Sequence, residues 1–394
     1  MALASLTASA QFGAPRQNPI VPSVVATVED FKPASSNQDN KQYPMVNSER
    51  MVRAQISAPD AKFVGLDIAG KIYTMTKDEN GVWTGTSEPQ DEGFHYYQLN
   101  IDGASVPDPG SLYYYGASRW GSGIEIPSED QDFWQVKNVP QGSVSEVFYW
   151  STYTEKMRRC HIYLPNEYFT NPTKKFPVLY LQHGMGENEY GWAEQGHTAQ
   201  ILDNLIAEGK AVPCIIVMDN GLNTRRPGEA GGFGGFGGQR PQGAPGQGGP
   251  RRGGFGGFSE GFKNVLFNDI IPMVETHYRV IADPQHRAYA GLSMGGMQAR
   301  EITLANPEKF AYVGSFSSGA WNVDQVKGSE GFAKNVKLLF MSGGGKENMG
   351  VVEAAKNIKE QLGMNAVGYD SPGTAHEWHT WRRSLYQFAQ LIFK

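Results

Sequence analysis

Ser293 stands in Gly291-Leu292-Ser293-Met294-Gly295, between the β-prone run Arg287-Ala288-Tyr289-Ala290 and a helix-forming stretch over residues 296–302. A serine hydroxyl is a weak nucleophile until a neighbouring base takes its proton. G-x-S-x-G between a strand and a helix describes an elbow, in which small flanking glycines let the backbone turn sharply and lift the hydroxyl above a parallel sheet. On such an elbow the partners follow in the chain order Ser, then Asp or Glu, then His. His376, in Thr374-Ala375-His376-Glu377-Trp378-His379, meets that order as the base. His379 is its rival, but it falls within the first turn of the helix that follows, whereas His376 sits at the loop-to-helix boundary. Between nucleophile and base, the apolar run 336–341 ends in Ser342-Gly343-Gly344-Gly345-Lys346-Glu347-Asn348, which reads as a strand whose terminal loop carries Glu347 as the leading acid. Asp324, after the strand-like Tyr312-Val313-Gly314-Ser315-Phe316, is the reserve.

Acyl transfer also needs donors for the oxygen that gains charge. The run Val178-Leu179-Tyr180-Leu181-Gln182 reads as a buried strand that enters the loop His183-Gly184-Met185-Gly186. The backbone N–H groups of Met185 and Met294 are assigned to that oxyanion hole. His183 precedes the nucleophile in the chain and is read as shaping the loop. Trp192, Trp321 and Trp378 are candidates for the walls of an acyl or sugar subsite, with core packing as the alternative for each. The eight histidines form no His-Glu-x-x-His or other compact set, so neither a metal nor a cofactor is expected.

The elements that must position these groups divide the 394 residues into zones. Residues 1–45 read as the apolar remnant of a truncated signal peptide followed by an extended linker, which implies a secreted or periplasmic protein. Residues 46–142 carry short β-type runs separated by Pro, Asp and Gly turns, the pattern of a β-sandwich. Residues 143–394 alternate β-branched runs with amphipathic helix-length segments, the pattern of an α/β domain with a mostly parallel sheet covered on both faces. Within it, residues 225–258 are dominated by Gly, Pro, Gln and Arg, and a mobile insertion is expected there. A net charge of −5 offers no basic field to a nucleic acid, and no apolar run approaches the length of a membrane span. With Cys160 and Cys214 alone, either two buried thiols or one bridge fits.

The α/β zone resembles carbohydrate esterase family 1, the feruloyl and acetylxylan esterases, through Leu181-Gln182-His183-Gly184, Gly291-Leu292-Ser293-Met294-Gly295-Gly296 and Gly373-Thr374-Ala375-His376-Glu377-Trp378-His379-Thr380-Trp381-Arg382. That resemblance implies an α/β-hydrolase domain with Ser293 and His376 in a serine esterase. Its leading substrate would be feruloylated, and its second acetylated, xylan fragments. The acid departs from the pattern: many relatives carry Asp in the loop after this strand, a form that as template would set Asn348 at the acid position, while a Glu-bearing form matches Glu347. The β-zone resembles the immunoglobulin-like module of carbohydrate-binding module family 48 through Ala58-Pro59-Asp60-Ala61, Gly81-Val82-Trp83 and Tyr96-Tyr97-Gln98-Leu99-Asn100-Ile101-Asp102-Gly103. Its Trp83, Tyr96 and Tyr97 fit strand packing better than a sugar platform. A non-catalytic glycan-binding protein, or an acyltransferase or peptidase on the same fold, is the alternative from another class.

Overall fold

A computed structural model describes residues 18–228 and 256–394. The signal-remnant reading and most of the 225–258 insertion concern residues outside that set. The helix Gly256–Val265 begins within the boundary drawn for the insertion. Phe262 and Val265 on this helix dock into the core, an anchoring that glycine content alone does not reveal.

Residues 18–126 build two β-sheets around one core. The first runs in the order Ile20–Pro22, Lys71–Thr74, Val64–Ile68, Gly93–Ile101, Arg119–Ile126 and Tyr113–Gly116, with Ala104–Val106 beside Gly93–Ile101. The second runs Lys32–Pro33, Met45–Val46, Met51–Ser57, Val82–Pro89 and Thr76–Lys77. The segment expected to be a linker thus contributes strands to both sheets. Val52, Ala54, Leu66, Ile68, Leu99, Ile124 and Ile126 fill the space between them, the apolar halves of alternating strands. Trp83 and Tyr97 belong to that core, each with its polar end satisfied: the indole N–H donates to Ala58 O at 2.9 Å and the Tyr97 hydroxyl to Asp108 Oδ2 at 2.8 Å.

The following α/β region is built on an eight-stranded sheet in the order Ser143–Ser151, Lys156–Leu164, Ile215–Asp219, Val178–Gln182, Arg287–Leu292, Tyr312–Phe316, Leu338–Gly344 and Ala366–Ser371. The first two strands pair antiparallel and Lys156–Leu164 pairs antiparallel with Ile215–Asp219; every later pairing is parallel. The central strands are buried along their whole length, as a sheet covered on both faces demands. On one face the core draws on the helices Met294–Ala305 and Val351–Leu362, through Ala299, Ile302, Val351, Ala355 and Ile358. On the other it draws on Thr198–Ala207 and Trp378–Ala389, through Ile201, Leu202, Leu205, Leu385 and Phe388. Cys160 and Cys214 are buried free thiols. No helix among the described residues is long and apolar enough to cross a membrane.

The two regions are joined by buried charge as well as apolar contact. Arg382, on the last helix, makes a fork to Glu125 of the β-rich region, Nη1 to Oε1 at 2.7 Å and Nη2 to Oε2 at 2.9 Å. The guanidinium also lies over the Trp134 ring. His379 and Arg383 both meet Asp130, at 3.1 and 2.7 Å. The rival histidine is thus buried at the junction of the regions.

Candidate active site

The parallel strand Arg287–Leu292 ends at Ser293, and the helix Met294–Ala305 starts at the next residue. Ser293 is held at φ 50° and ψ −114°, a backbone conformation that non-glycine residues rarely adopt. Its N–H is tied to Phe316 O of the neighbouring strand at 2.7 Å. The glycines around it are required by close approach. A Cβ on Gly291 would lie 2.5 Å from the Gly295 carbonyl carbon, and one on Gly295 would lie 2.6 Å from His183 O. Gly184 is also closely packed, since a Cβ there would be 2.5 Å from Leu292 Cδ1 and 3.3 Å from Ser293 Cβ.

Ser293 Oγ is 3.0 Å from His376 Nε2, and His376 Nδ1 is 2.8 Å from Glu347 Oε1. The three residues come from three loops at the carboxyl ends of parallel strands, where open α/β sheets place their sites. Glu347 follows the strand Leu338–Gly344 in a short 3-10 turn. Its Oε2 accepts the Gly344 N–H and the Ser317 hydroxyl, both at 2.7 Å. Burial acts to raise this carboxyl, but hydrogen bonds from His376, Gly344 and Ser317 outweigh it and hold the group below the usual carboxylate range. A carboxylate is therefore present where the imidazole needs an acceptor for Nδ1–H. The loop carrying His376 is fastened to the acid's loop through Lys346 N–H to Thr374 O at 2.9 Å. It is fastened to its own helix through Thr380 Oγ1 to Ala375 O at 2.6 Å. The His376 ring lies edge-on to Trp381, with centroids 5.2 Å apart, and its side chain is 48% exposed, so the imidazole is reachable from solvent.

Asp324, the reserve acid, is exposed on the helix Val323–Lys327. Asn348 takes a left-handed turn beyond Glu347, with φ 52°. His183 is buried, its Nδ1 on Gly184 O at 2.7 Å and its Nε2 accepting the Gly221 N–H at 3.1 Å. Burial lowers its pKa to about 4, so it stays neutral and braces the loop. Met185 is partly exposed on that loop. Met294 is the first helical residue, whose N–H has no acceptor within the helix.

The three tryptophans do not wall a cleft. Trp192 and Trp321 are 1% exposed and Trp378 2%. Each indole N–H is spent on the protein itself: Trp192 on Gln182 O, Trp321 on Ser315 Oγ, Trp378 on the Tyr96 hydroxyl. Aromatic area of this size gains most when it is fully buried, and the core took all three. Ser317, which orients Glu347, escapes sequence reasoning, because nothing local marks a serine that hydrogen-bonds thirty positions away.

The family described as "Putative esterase" matches residues 151–391. An endo-1,4-beta-xylanase/feruloyl esterase of Xylanibacter ruminicola is 43% identical over 375 residues, 93% of this chain and 48% of that protein. The chain thus spans about half the length of that relative. The endo-1,4-beta-xylanase Y of Acetivibrio thermocellus is 24% identical over 266 residues, 59% of this chain and 22% of that protein. Among solved structures, a CE1 ferulic acid esterase from Anaeromyces mucronatus superposes with a TM-score of 0.52 at 22% identity, covering 68% of this chain and 96% of that one. An enterobactin esterase from Shigella flexneri gives 0.57 at 16% identity, over 86% and 92%. These structural likenesses concern the fold. The chain belongs to the putative-esterase family.

Proposed function

We propose that this chain is a serine carboxylic ester hydrolase of the carbohydrate esterase family 1 kind, with Ser293 as nucleophile, His376 as base and Glu347 as the acid that orients it. The observation that carries this reading is the continuous hydrogen-bonded path from Ser293 Oγ through His376 to Glu347. In the proposed reaction Ser293 Oγ attacks the ester carbonyl carbon while its proton passes to His376 Nε2. The Met185 and Met294 N–H groups receive the oxyanion. Collapse breaks the ester C–O bond, and the departing alkoxide takes the proton from His376. Water then attacks the acyl carbon, giving its proton to Nε2, and Ser293 leaves with that proton as the free acid forms. Glu347 stays ionised throughout and stabilises the imidazolium.

The strand order, in which the fourth strand of the sheet lies between the second and third, supports an α/β-hydrolase domain over 143–394. The two sheets before it support an immunoglobulin-like module over 46–142, of the carbohydrate-binding type. We propose esters of plant cell-wall polysaccharide as substrates, feruloylated xylan first and acetylated xylan second, because the 43% identical relative carries a feruloyl esterase name. A polymeric substrate of this kind places the enzyme outside the cytoplasm. The test is hydrolysis of methyl hydroxycinnamates and an aryl acetate by the protein and by Ser293→Ala. Ferulate release that vanishes in the variant supports the full reading, and acetate release alone moves the substrate to acetyl esters. Release that survives the variant overturns it.

A further inference from the structure

Tyr96 lies on the strand Gly93–Ile101 of the β-rich region, yet its hydroxyl reaches two loops of the candidate site. It accepts the Gln195 side-chain N–H at 2.6 Å and the Trp378 indole N–H at 3.1 Å. Its own proton is left for Glu187 Oε1 or Tyr115 O, both at 3.4 Å. Trp378 is two residues past His376, and Glu187 is two residues past Met185. A second tie runs the same way: in the turn that precedes the strand Arg119–Ile126, the Ser118 N–H donates to Gly186 O at 2.7 Å.

Glu187 is 7% exposed, and its Oε2 has no partner. The groups facing it are the Tyr96 hydroxyl from the β-rich strand, the Trp378 indole from the last helix and the Gly184 backbone from its own loop. None of these is a cation. Burial pushes this carboxyl up to about 8, so at neutral pH it is a neutral acid within a neutral network.

We propose that the Tyr96 hydroxyl is a positioning group of the reaction, holding from the β-rich region both the segment that carries His376 and the loop that carries Met185. The proposal rests on the esterase reading above. It makes the β-rich region an integral part of the site, and it gives Glu187 a use: a neutral carboxyl can stay buried against Tyr96, whereas an ionised one would pull water into the oxyanion loop.

The test uses the full chain and a small aryl acetate, which needs no glycan contact. Tyr96→Phe keeps the ring and removes the hydroxyl. The expected result is a fall of about tenfold in kcat with KM changed by less than about twofold. Glu187→Ala should show a similar loss, and Glu187→Gln, which keeps a neutral hydrogen-bonding group, should recover most of it. The parent kcat should decline above about pH 8 as Glu187 ionises, and that decline should be absent from Glu187→Gln. A purely structural role would lower Tm in Tyr96→Phe while leaving kcat and the pH profile as in the parent, and that result overturns the proposal. If Tyr96→Phe fails to fold by circular dichroism, the Glu187→Ala and Glu187→Gln pair decides, equal kcat and equal profiles counting against it. Activity surviving in Ser293→Ala would instead sink the esterase reading on which the proposal stands.

Discussion

Replacing Glu347 by Gln changes one oxygen into an amide nitrogen and keeps the shape. The two donors at Oε2, Gly344 N–H and Ser317 Oγ–H, both stand at 2.7 Å, and the backbone donor cannot turn away. The amide oxygen must therefore occupy that position, which aims the new NH₂ at His376 Nδ1. Nδ1 can accept that bond only by giving up its proton, so the imidazole carries its proton on Nε2 and faces Ser293 as a donor. The base is then lost although nothing has moved. A comparable replacement in a serine triad costs about 10⁴ in kcat, and we expect 10³ to 10⁴, equivalent to roughly 4 to 5.5 kcal/mol of transition-state stabilisation. Stopped assays of aryl acetate hydrolysis over a range of concentrations separate kcat from KM, and KM should change little because no substrate contact is removed. A Glu347→Gln enzyme retaining more than a tenth of the parent kcat would refute the assignment of Glu347.

Arg382→Met strands Glu125 as an unpaired buried carboxylate, so the urea unfolding free energy should drop by about 3 to 5 kcal/mol, with recovery when Glu125→Leu is added; a loss below about 1 kcal/mol would contradict the buried pair. Gly295→Ala sets a methyl 2.6 Å from His183 O and 2.7 Å from Gln182 O, both backbone. The loop of residues 183–186, proposed to donate to the oxyanion, must shift, so kcat should fall by at least about tenfold while stability drops by only about 1 to 3 kcal/mol. Glu187 has its folded pKa raised from 4.5 to about 8. Between those values the unfolded chain ionises while the folded one keeps its proton, so folding stability falls as pH rises through that window and levels off above it. The Tm advantage of Glu187→Gln should therefore grow from pH 5 to pH 8, and a gap constant with pH would contradict the buried neutral acid. Burial raises both thiols, Cys214 to about 12, so a disulfide exchange reagent should titrate neither Cys160 nor Cys214 in the native protein and both in guanidinium.

The strand, turn and helix around Ser293 are the legible part of this sequence, because their constraints are local. Gly291, Gly295 and Gly296 advertise an elbow, since each sits where a side chain would meet backbone or a neighbouring serine. The strand before Glu347 marks it as the leading candidate for the acid, and the structure sets it 2.8 Å from His376 Nδ1, whereas Asp324 lies on the exposed helix Val323–Lys327. Trp192, Trp321 and Trp378 show the limit of composition. A large aromatic gains from burial and from a ligand by the same physics, and only its place between packed layers tells which. Tyr96 was invisible as more than a packing residue, because its bond to Trp378 spans 282 positions and depends on how one region docks on the other. The paired strands of residues 18–46 were hidden similarly: Ile20–Pro22 gains order from Lys71–Thr74, not from its own sequence.

In the proposed reaction Ser293 is acylated and its ester is then hydrolysed. Acid quenching during steady-state turnover of an aryl acetate, followed by intact mass measurement and peptide mapping, tests it directly. One acetyl group is expected, on the peptide containing Ser293, absent from Ser293→Ala and accumulating in Gly295→Ala no faster than in the parent. Acetyl on any other residue, or turnover that persists in Ser293→Ala without an acyl-enzyme, would contradict it.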